Sequence, residues 1–237
     1  MFYRNFIVLT VIIITVSCNK TIQENNCLTN KEIQDGWELL FDGETTDKWR
    51  LFKGNEVIGW NINNGVLCNS GIGSDYGGDI ITKDKYTDFE LYLEWRIDSL
   101  SNSGVFYLVN EFDSIQAIYE SGPEYQLSDD TNDIDPNTLY SQLTGSNYAM
   151  YPARNAIVKP LSEWNTTRII KKGVYVEHWL NEIKVVEYEL WSEDWIRRKN
   201  ISKWKDYPYY GIAKDGHIGL QDHGGLTCFR NIKIRRL

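Results

Sequence analysis

The chain has 237 residues, 33 acidic and 25 basic, for a formal charge of −8 at pH 7. Hydrophobic content of 42% and charged content of 24% exclude global disorder, and the length fits one large domain or two small ones. The acidic balance argues against a nucleic-acid partner, because phosphate binding needs concentrated Lys and Arg. The one basic run, Arg197-Arg198-Lys199, reads as the solvated face of a short helix. Nine Trp and fifteen Tyr are the compositional excess. Aromatics fill β-sandwich cores, and they also stack on the apolar faces of sugars.

At the N-terminus, Arg4 precedes an apolar run from Phe6 to Val16, shorter than the roughly twenty residues of a membrane span. Ser17-Cys18 and the polar Asn19-Lys20 follow. This is the layout of a secretory signal. The Cys placed directly after a small residue is similar to the bacterial lipobox, with Thr15 where that motif usually carries an aliphatic. Residues 1–17 are therefore expected to be a lipoprotein signal peptide, with Cys18 lipidated and the protein held in the bacterial cell envelope by lipid alone. An ordinary signal peptide with a coincidental Cys is the competing reading. Residues 18–35 are rich in Asn, Thr, Gln and Glu and read as a flexible tether. The remaining Cys27, Cys68 and Cys228 form no C-x-x-C pair, which excludes a zinc ribbon or thioredoxin-type site. A Cys68–Cys228 disulfide and two buried free thiols both fit, since both residues lie in strand-like segments.

From Gly36 onward short strand patterns recur between turn residues. Trp37–Phe41 leads into Asp42-Gly43. Trp60–Asn63 and Val66–Cys68 flank Asn64-Gly65, a hairpin signal. A Gly-rich loop spans residues 71–78. Phe89–Ile97 alternates, with Phe89, Leu91, Leu93, Trp95 and Ile97 on one face and Glu90, Tyr92, Glu94 and Arg96 on the other. Further strands are expected at Gly104–Val109, Glu124–Leu127, Thr167–Lys171, Val174–Leu180, Ile183–Glu189, His217–Gln221 and Thr227–Arg235. One segment, 192–204, reads helical, with Ser192 as its cap and Glu193 and Asp194 in its first turn. Strands in succession without alternating helices predict an all-β antiparallel sandwich, with no second domain boundary inside residues 36–237.

Chemistry-bearing motifs are few. Glu111-Phe-Asp113-Ser-Ile-Gln116 approaches the two-carboxylate strand of laminarinase-type glucanases, but Gln116 stands where the acid belongs and the segment reads as a polar loop. The acidic loop Asp129–Asp135 offers oxygens that calcium favours, yet it lacks the Gly and terminal Glu of a helix-loop-helix site. It reads as a solvated turn, and no cofactor is expected. The more informative set lies on strands: Glu94 and Arg96, Glu124 and Gln126, and the alternating His217, Gly219, Gln221 and His223. Glu94, Arg96, Glu124, Gln126, Gln221 and His223 are expected to converge on one groove. His178 shares the parity of Val174, Val176 and Leu180, so it suits a core or a site equally.

An ordered series of motifs then gives the chain a resemblance. Gly36-Trp-Glu-Leu-Leu-Phe-Asp-Gly43, Asp88-Phe-Glu-Leu91, Glu94-Trp-Arg96, Asn102-Ser-Gly-Val-Phe106, Gly122-Pro-Glu-Tyr-Gln126, Glu163-Trp-Asn165, His178-Trp-Leu-Asn181 and Leu220-Gln-Asp-His-Gly224 through Phe229-Arg-Asn-Ile232 occur in order. Together they resemble the 3-keto-disaccharide hydrolase domain family over about residues 36–237. The resemblance implies a concanavalin A-like jelly roll with its site on the concave sheet, acting on glycosides oxidised to a ketone at C3. Carried over position by position, it implies Glu94, Arg96, Gln126, Gln221 and Arg230 as substrate-binding residues. Glu124 and His223 are the expected acid–base pair, in either order. Leu108 stands where many members have Arg, and Ser128-Asp129-Asp130 where many have Leu-Asp-Asn; both departures bear on substrate preference or activity. A non-catalytic, lectin-like carbohydrate-binding module is the alternative that the same fold allows.

Overall fold

The computed structural model describes residues 24–71, 78–131 and 140–237. The expected signal peptide and Cys18 fall outside them. Among the described residues thirteen strands occur in chain order: β1 (Trp37–Leu39), β2 (Trp49–Leu51), β3 (Trp60–Asn63), β4 (Val66–Asn69), β5 (Ile80–Thr82), β6 (Phe89–Ile97), β7 (Asn102–Val109), β8 (Glu124–Ser128), β9 (Asn165–Lys172), β10 (Tyr175–Leu180), β11 (Ile183–Glu189), β12 (His217–Leu220) and β13 (Thr227–Arg236). They form two antiparallel sheets. The larger, of eight strands, runs β11-β10-β9-β6-β13-β4-β3, with β1 also paired to β13; the smaller runs β2-β5-β12-β7-β8. The all-β jelly-roll sandwich expected from the sequence is the fold observed.

Local chemistry explains the main elements. In β6 the residues Phe89, Leu91, Leu93, Trp95 and Ile97 are all at most 4% exposed; a period of two places them on the face that meets the second sheet. Trp95 also satisfies its indole by donating from Nε1 to Thr167 Oγ1 at 2.9 Å. Asn64 (φ 50°) and Gly65 (φ 73°) make the two-residue turn joining β3 to β4, where left-handed φ at both positions favours this pair. Strands β2 and β5 carry no sequence signal, because three residues are too few to show alternation.

Cys68 and Cys228 oppose each other in the β4–β13 register and are joined as a disulfide, which resolves the two open readings. The stretch described as tether is not free over residues 24–35. Asn26 is 6% exposed, and its amide and Oδ1 engage Asn231 in β13. The short α1 (Asn30–Gln34) follows, closed by a Thr29–Glu32 capping box. The cause is local to Asn26, whose side chain donates to Gly65 O and accepts from Asn231 N, each at 2.8 Å, while most of the stretch stays exposed.

The helix α2 (Glu193–Ile201) begins at the Ser192 cap, as expected, and continues into a 3₁₀ turn, Lys203–Asp206. Its basic run is locally neutralised: Arg197 and Arg198 both pair with Asp194, and Lys199 donates to Tyr210 O at 3.1 Å. Trp195 is the buried residue of the helix, and it belongs to a column of parallel rings. Trp204 stacks on Tyr210 at 4.3 Å, Tyr210 on Trp195 at 5.8 Å, Trp195 on Tyr188 at 5.3 Å and Tyr188 on Tyr151 at 4.7 Å. Arg198 covers the Tyr151 end and Lys203 the Trp204 end. The aromatic excess of the composition thus fixes the α2 segment to the sandwich.

Candidate active site

The outer face of the five-stranded sheet carries the site. In β8, Tyr125 and Leu127 point into the core, each fully buried; alternation therefore turns Glu124 and Gln126 outward. On β7, Gly104 lies opposite Gln126, and Phe106 opposite Glu124. The Glu124 carboxyl lies over Gly104: a Cβ there would sit 2.3 Å from Oε1. Gln126 donates from Nε2 to Asn102 Oδ1 at 2.9 Å. Directly after β12, the Gln221 amide bonds Gly104 O at 3.0 Å, and Ser103 Oγ donates to Gln221 O at 2.8 Å. Gln221 and His223 then face the same side, while Asp222 turns inward to Asn69 Nδ2 at 3.0 Å.

A cavity of about 280 Å³ results, lined by Glu124, Gln126, Gln221 and His223, with Asn102 on the sheet and Tyr119, Tyr148, Lys203 and Tyr207 over it. Tyr119 comes from a 3₁₀ turn, Ile118–Glu120; Lys203 and Tyr207 come from the segment that follows α2. Larger surface clefts lie elsewhere, and none of these three contains a buried carboxyl without a hydrogen bond.

The electrostatics single out Glu124. It is 5% exposed, and no hydrogen bond reaches its carboxyl among the described residues. Burial pushes it up to about 8, Lys203 opposes that shift, and the nearby Asp79 adds to it. Asp79 is itself pushed up to about 7, chiefly by burial, and it accepts the Asp222 amide at 3.0 Å. A buried carboxyl held unionised without a partner costs stability, and such groups concentrate at functional sites.

The structure thus brings Glu124, Gln126, Gln221 and His223 together and separates Glu94, Arg96 and Arg230 from them. The single groove expected for Glu94, Arg96, Glu124, Gln126, Gln221 and His223 is corrected, and Arg230, expected to bind substrate, lies with Glu94 and Arg96. β6 and β13 belong to the larger sheet, and its outer face looks away from the cavity. There Arg230 Nε donates to Glu94 Oε2 at 2.7 Å, and the Arg96 and Arg230 guanidinium groups lie 5.1 and 4.1 Å from the Trp164 ring centre. These residues form an ion pair and cation–π clasp on a solvated sheet. His178 resolves to the core: it is fully buried, accepts from Tyr107 Oη at 2.9 Å through Nε2 and donates from Nδ1 to Gly145 O at 3.0 Å. Burial holds it neutral, down to about 4. Glu111 is engaged by the Arg50 guanidinium through both oxygens, at 2.8 and 2.6 Å, which agrees with the polar-loop reading. Of the acidic loop, residues 132–135 lie outside the description. Asp129 accepts from Leu100 N at 2.9 Å and Asp130 from Thr144 N at 3.1 Å, and no metal-binding group of three His, Cys, Asp or Glu occurs among the described residues. Sequence reasoning missed Lys203, Tyr119, Tyr148 and Tyr207, whose segments carry no motif.

Residues 36–235 match the 3-keto-alpha-glucoside-1,2-lyase-like domain family. The chain belongs to this family. A relative named 3-keto-disaccharide hydrolase, from Bacteroides thetaiotaomicron, is 33% identical over 252 aligned positions, 94% of this chain and 87% of that one. A solved structure from Parabacteroides distasonis, provisionally named a glycosyl hydrolase, superposes with a TM-score of 0.84 at 39% identity, covering 90% of this chain and all of that one. A second from the same organism gives 0.66 at 30% identity, over 85% and 99%. This family member is an enzyme of the glycoside hydrolase kind with a carbohydrate substrate, and its sandwich presents the cavity just described.

Proposed function

We propose that the chain cleaves 3-keto glycosides by elimination and hydration at the Glu124 cavity. The observation that carries this reading is the Glu124 carboxyl: buried, without a hydrogen bond, and facing a polar cavity with an imidazole. A C3 ketone acidifies the C2 hydrogen, because the resulting carbanion delocalises into the carbonyl. Glu124, as carboxylate, takes that proton; the C2–H pair becomes the C2–C3 π bond, and the carbonyl π pair moves to oxygen. When the C3 carbonyl re-forms, a C1–C2 double bond appears and the C1–O bond breaks. His223 supplies the proton to the leaving oxygen. Water then adds at C1 and C2 regains a proton, so the net change is hydrolysis with no redox partner. Gln126 and Gln221 are suited to hold sugar hydroxyls through their amides. A carboxyl of raised pKa is the stronger base once ionised, which suits abstraction from carbon.

Purified protein incubated with 3-keto glycosides in deuterated water should release reducing sugar and incorporate deuterium at C2. Turnover without that label rejects elimination, and equal turnover of the unoxidised parents rejects the substrate class. Binding of either sugar without turnover favours the lectin-like module. We infer further that Cys18 anchors the enzyme in the envelope, supported by the apolar run and small residue before it. Cys18→Ala should leave the membrane fraction, and wild-type protein found soluble and cleaved elsewhere would reject this.

A further inference from the structure

Lys203 is the one Lys or Arg among the residues that line the cavity, and its ammonium is uncommitted. Among the described residues it makes no hydrogen bond and no ion pair. It lies instead 4.2 Å from the Tyr148 ring centre, 4.4 Å from that of Trp204 and 6.0 Å from that of Tyr119. Aromatic faces attract a cation, but they leave its three N–H groups without an oxygen acceptor. Lys171 shows the ordinary alternative, with its ammonium on Asp88 at 2.9 Å. The rings around Lys203 are themselves fixed. Trp204 lies flat on Tyr210, 7° from parallel, at the end of the ring column, and it donates from Nε1 to Tyr148 O at 2.9 Å. An exposed cation is thus seated against fixed rings beside the cavity and offers its donors to whatever enters.

We propose that Lys203 is a further catalytic residue, whose ammonium receives the negative charge that develops on the C3 oxygen as Glu124 removes the C2 proton. The inference rests on the function proposed above and names the group that stabilises its enolate. Proton and charge stay balanced: the proton goes to Glu124, the electron pair to the C3 oxygen, and Lys203 donates a hydrogen bond to that oxygen without forming a covalent bond. Burial favours the unionised Glu124, so the resting site does not lock Lys203 into an ion pair. Lys203 is exposed in the empty site, and a donor beside developing charge is worth most once a bound sugar displaces water from it.

The test compares wild type, Lys203→Met and Lys203→Arg on a 3-keto glycoside, reading kcat, KM and the rate of C2 deuterium exchange. Lys203→Met keeps the aliphatic stem against the rings. It should fold with an unchanged circular dichroism spectrum and lose about 10²–10³-fold in kcat, the range for removing one oxyanion donor. KM should move less than threefold, exchange at C2 should fall in parallel, and Lys203→Arg should recover part of both. Lys203→Met turnover within threefold of an active wild type overturns the inference alone, as does a loss confined to KM. A Lys203 adduct trapped by cyanoborohydride with the keto sugar overturns it in favour of an imine. Wild type inert toward keto glycosides overturns the functional reading, and this inference with it.

Discussion

At the residue scale, Glu124 sets function against stability. The folded state holds its carboxyl at about 8 against an ordinary 4.5, so folding favours the protonated form. Its contribution to stability is complete below 4.5 and is lost as pH rises through 8. Glu124→Gln copies the protonated shape and cannot ionise. Its melting temperature should match wild type near pH 4.5, exceed it increasingly as pH rises, and level off above about 8; a pH-independent difference would contradict this. The same variant should lose at least about 10²-fold in turnover. For wild type, kcat/KM should rise as Glu124 ionises near pH 8, with Lys203, Asp79, His223 and the tyrosines around the cavity as the other groups able to shape the curve. Gly104 tests placement separately. Gly104→Ala puts a methyl carbon where the carboxyl lies. The side chain can swing aside, so the variant should fold, but misplacement by about 1 Å costs on the order of 10²-fold in turnover.

At the scale of elements, the two outer faces behave differently. β6 and β13 present Glu94, Arg96 and Arg230 in a clasp around Trp164, far from the cavity on the β7–β8–β12 face. Arg230→Ala should therefore cost about 1 kcal/mol of stability, from a part-exposed ion pair and one ring contact, with turnover within about twofold of wild type. Unfolding in urea beside the keto-glycoside assay separates the two effects. A tenfold loss of turnover with unchanged stability would return these residues to the site. The α2 segment works as a support: its ring column carries Trp204, and with it Lys203 and Tyr207, to the edge of the cavity.

At the scale of the molecule, the Cys68–Cys228 bond closes a loop of 160 residues and ties β4 to β13 within the larger sheet. Constraining the unfolded chain over that distance is worth about 5 kcal/mol in the chain-entropy account, and measured values run lower. The double variant Cys68→Ser, Cys228→Ser should lose about 3–5 kcal/mol in denaturant unfolding. Reductant should bring wild type to the same stability and leave the double variant unchanged. Cys68 and Cys228 looked as suited to buried thiols as to a bond, since strand parity leaves open which strand becomes the neighbour; the register of β13 against β4 decided it.

The same limit divides what the residues alone determine from what the assembled chain decides. Alternation in β6 and β8, the Asn64-Gly65 turn, the Ser192 cap and the ordered family motifs are local signals, and they determined the all-β sandwich, the family and the pairing of Glu124 with Gln126. His223 and Gln221 joined them because they share parity just beyond β12. Parity says which residues share a face of one strand, but the outer faces of two sheets read alike, so Glu94, Arg96 and Arg230 looked equivalent to Glu124 until the sheets were separated. Nor is there any local signal in Lys203, an ordinary cation after a short helix, or in β2 and β5, at three residues each. Their roles arise only when the ring column and the sheet edges bring distant segments together. Desolvation of Glu124 is likewise a property of everything packed over it, and the structure alone supplies it.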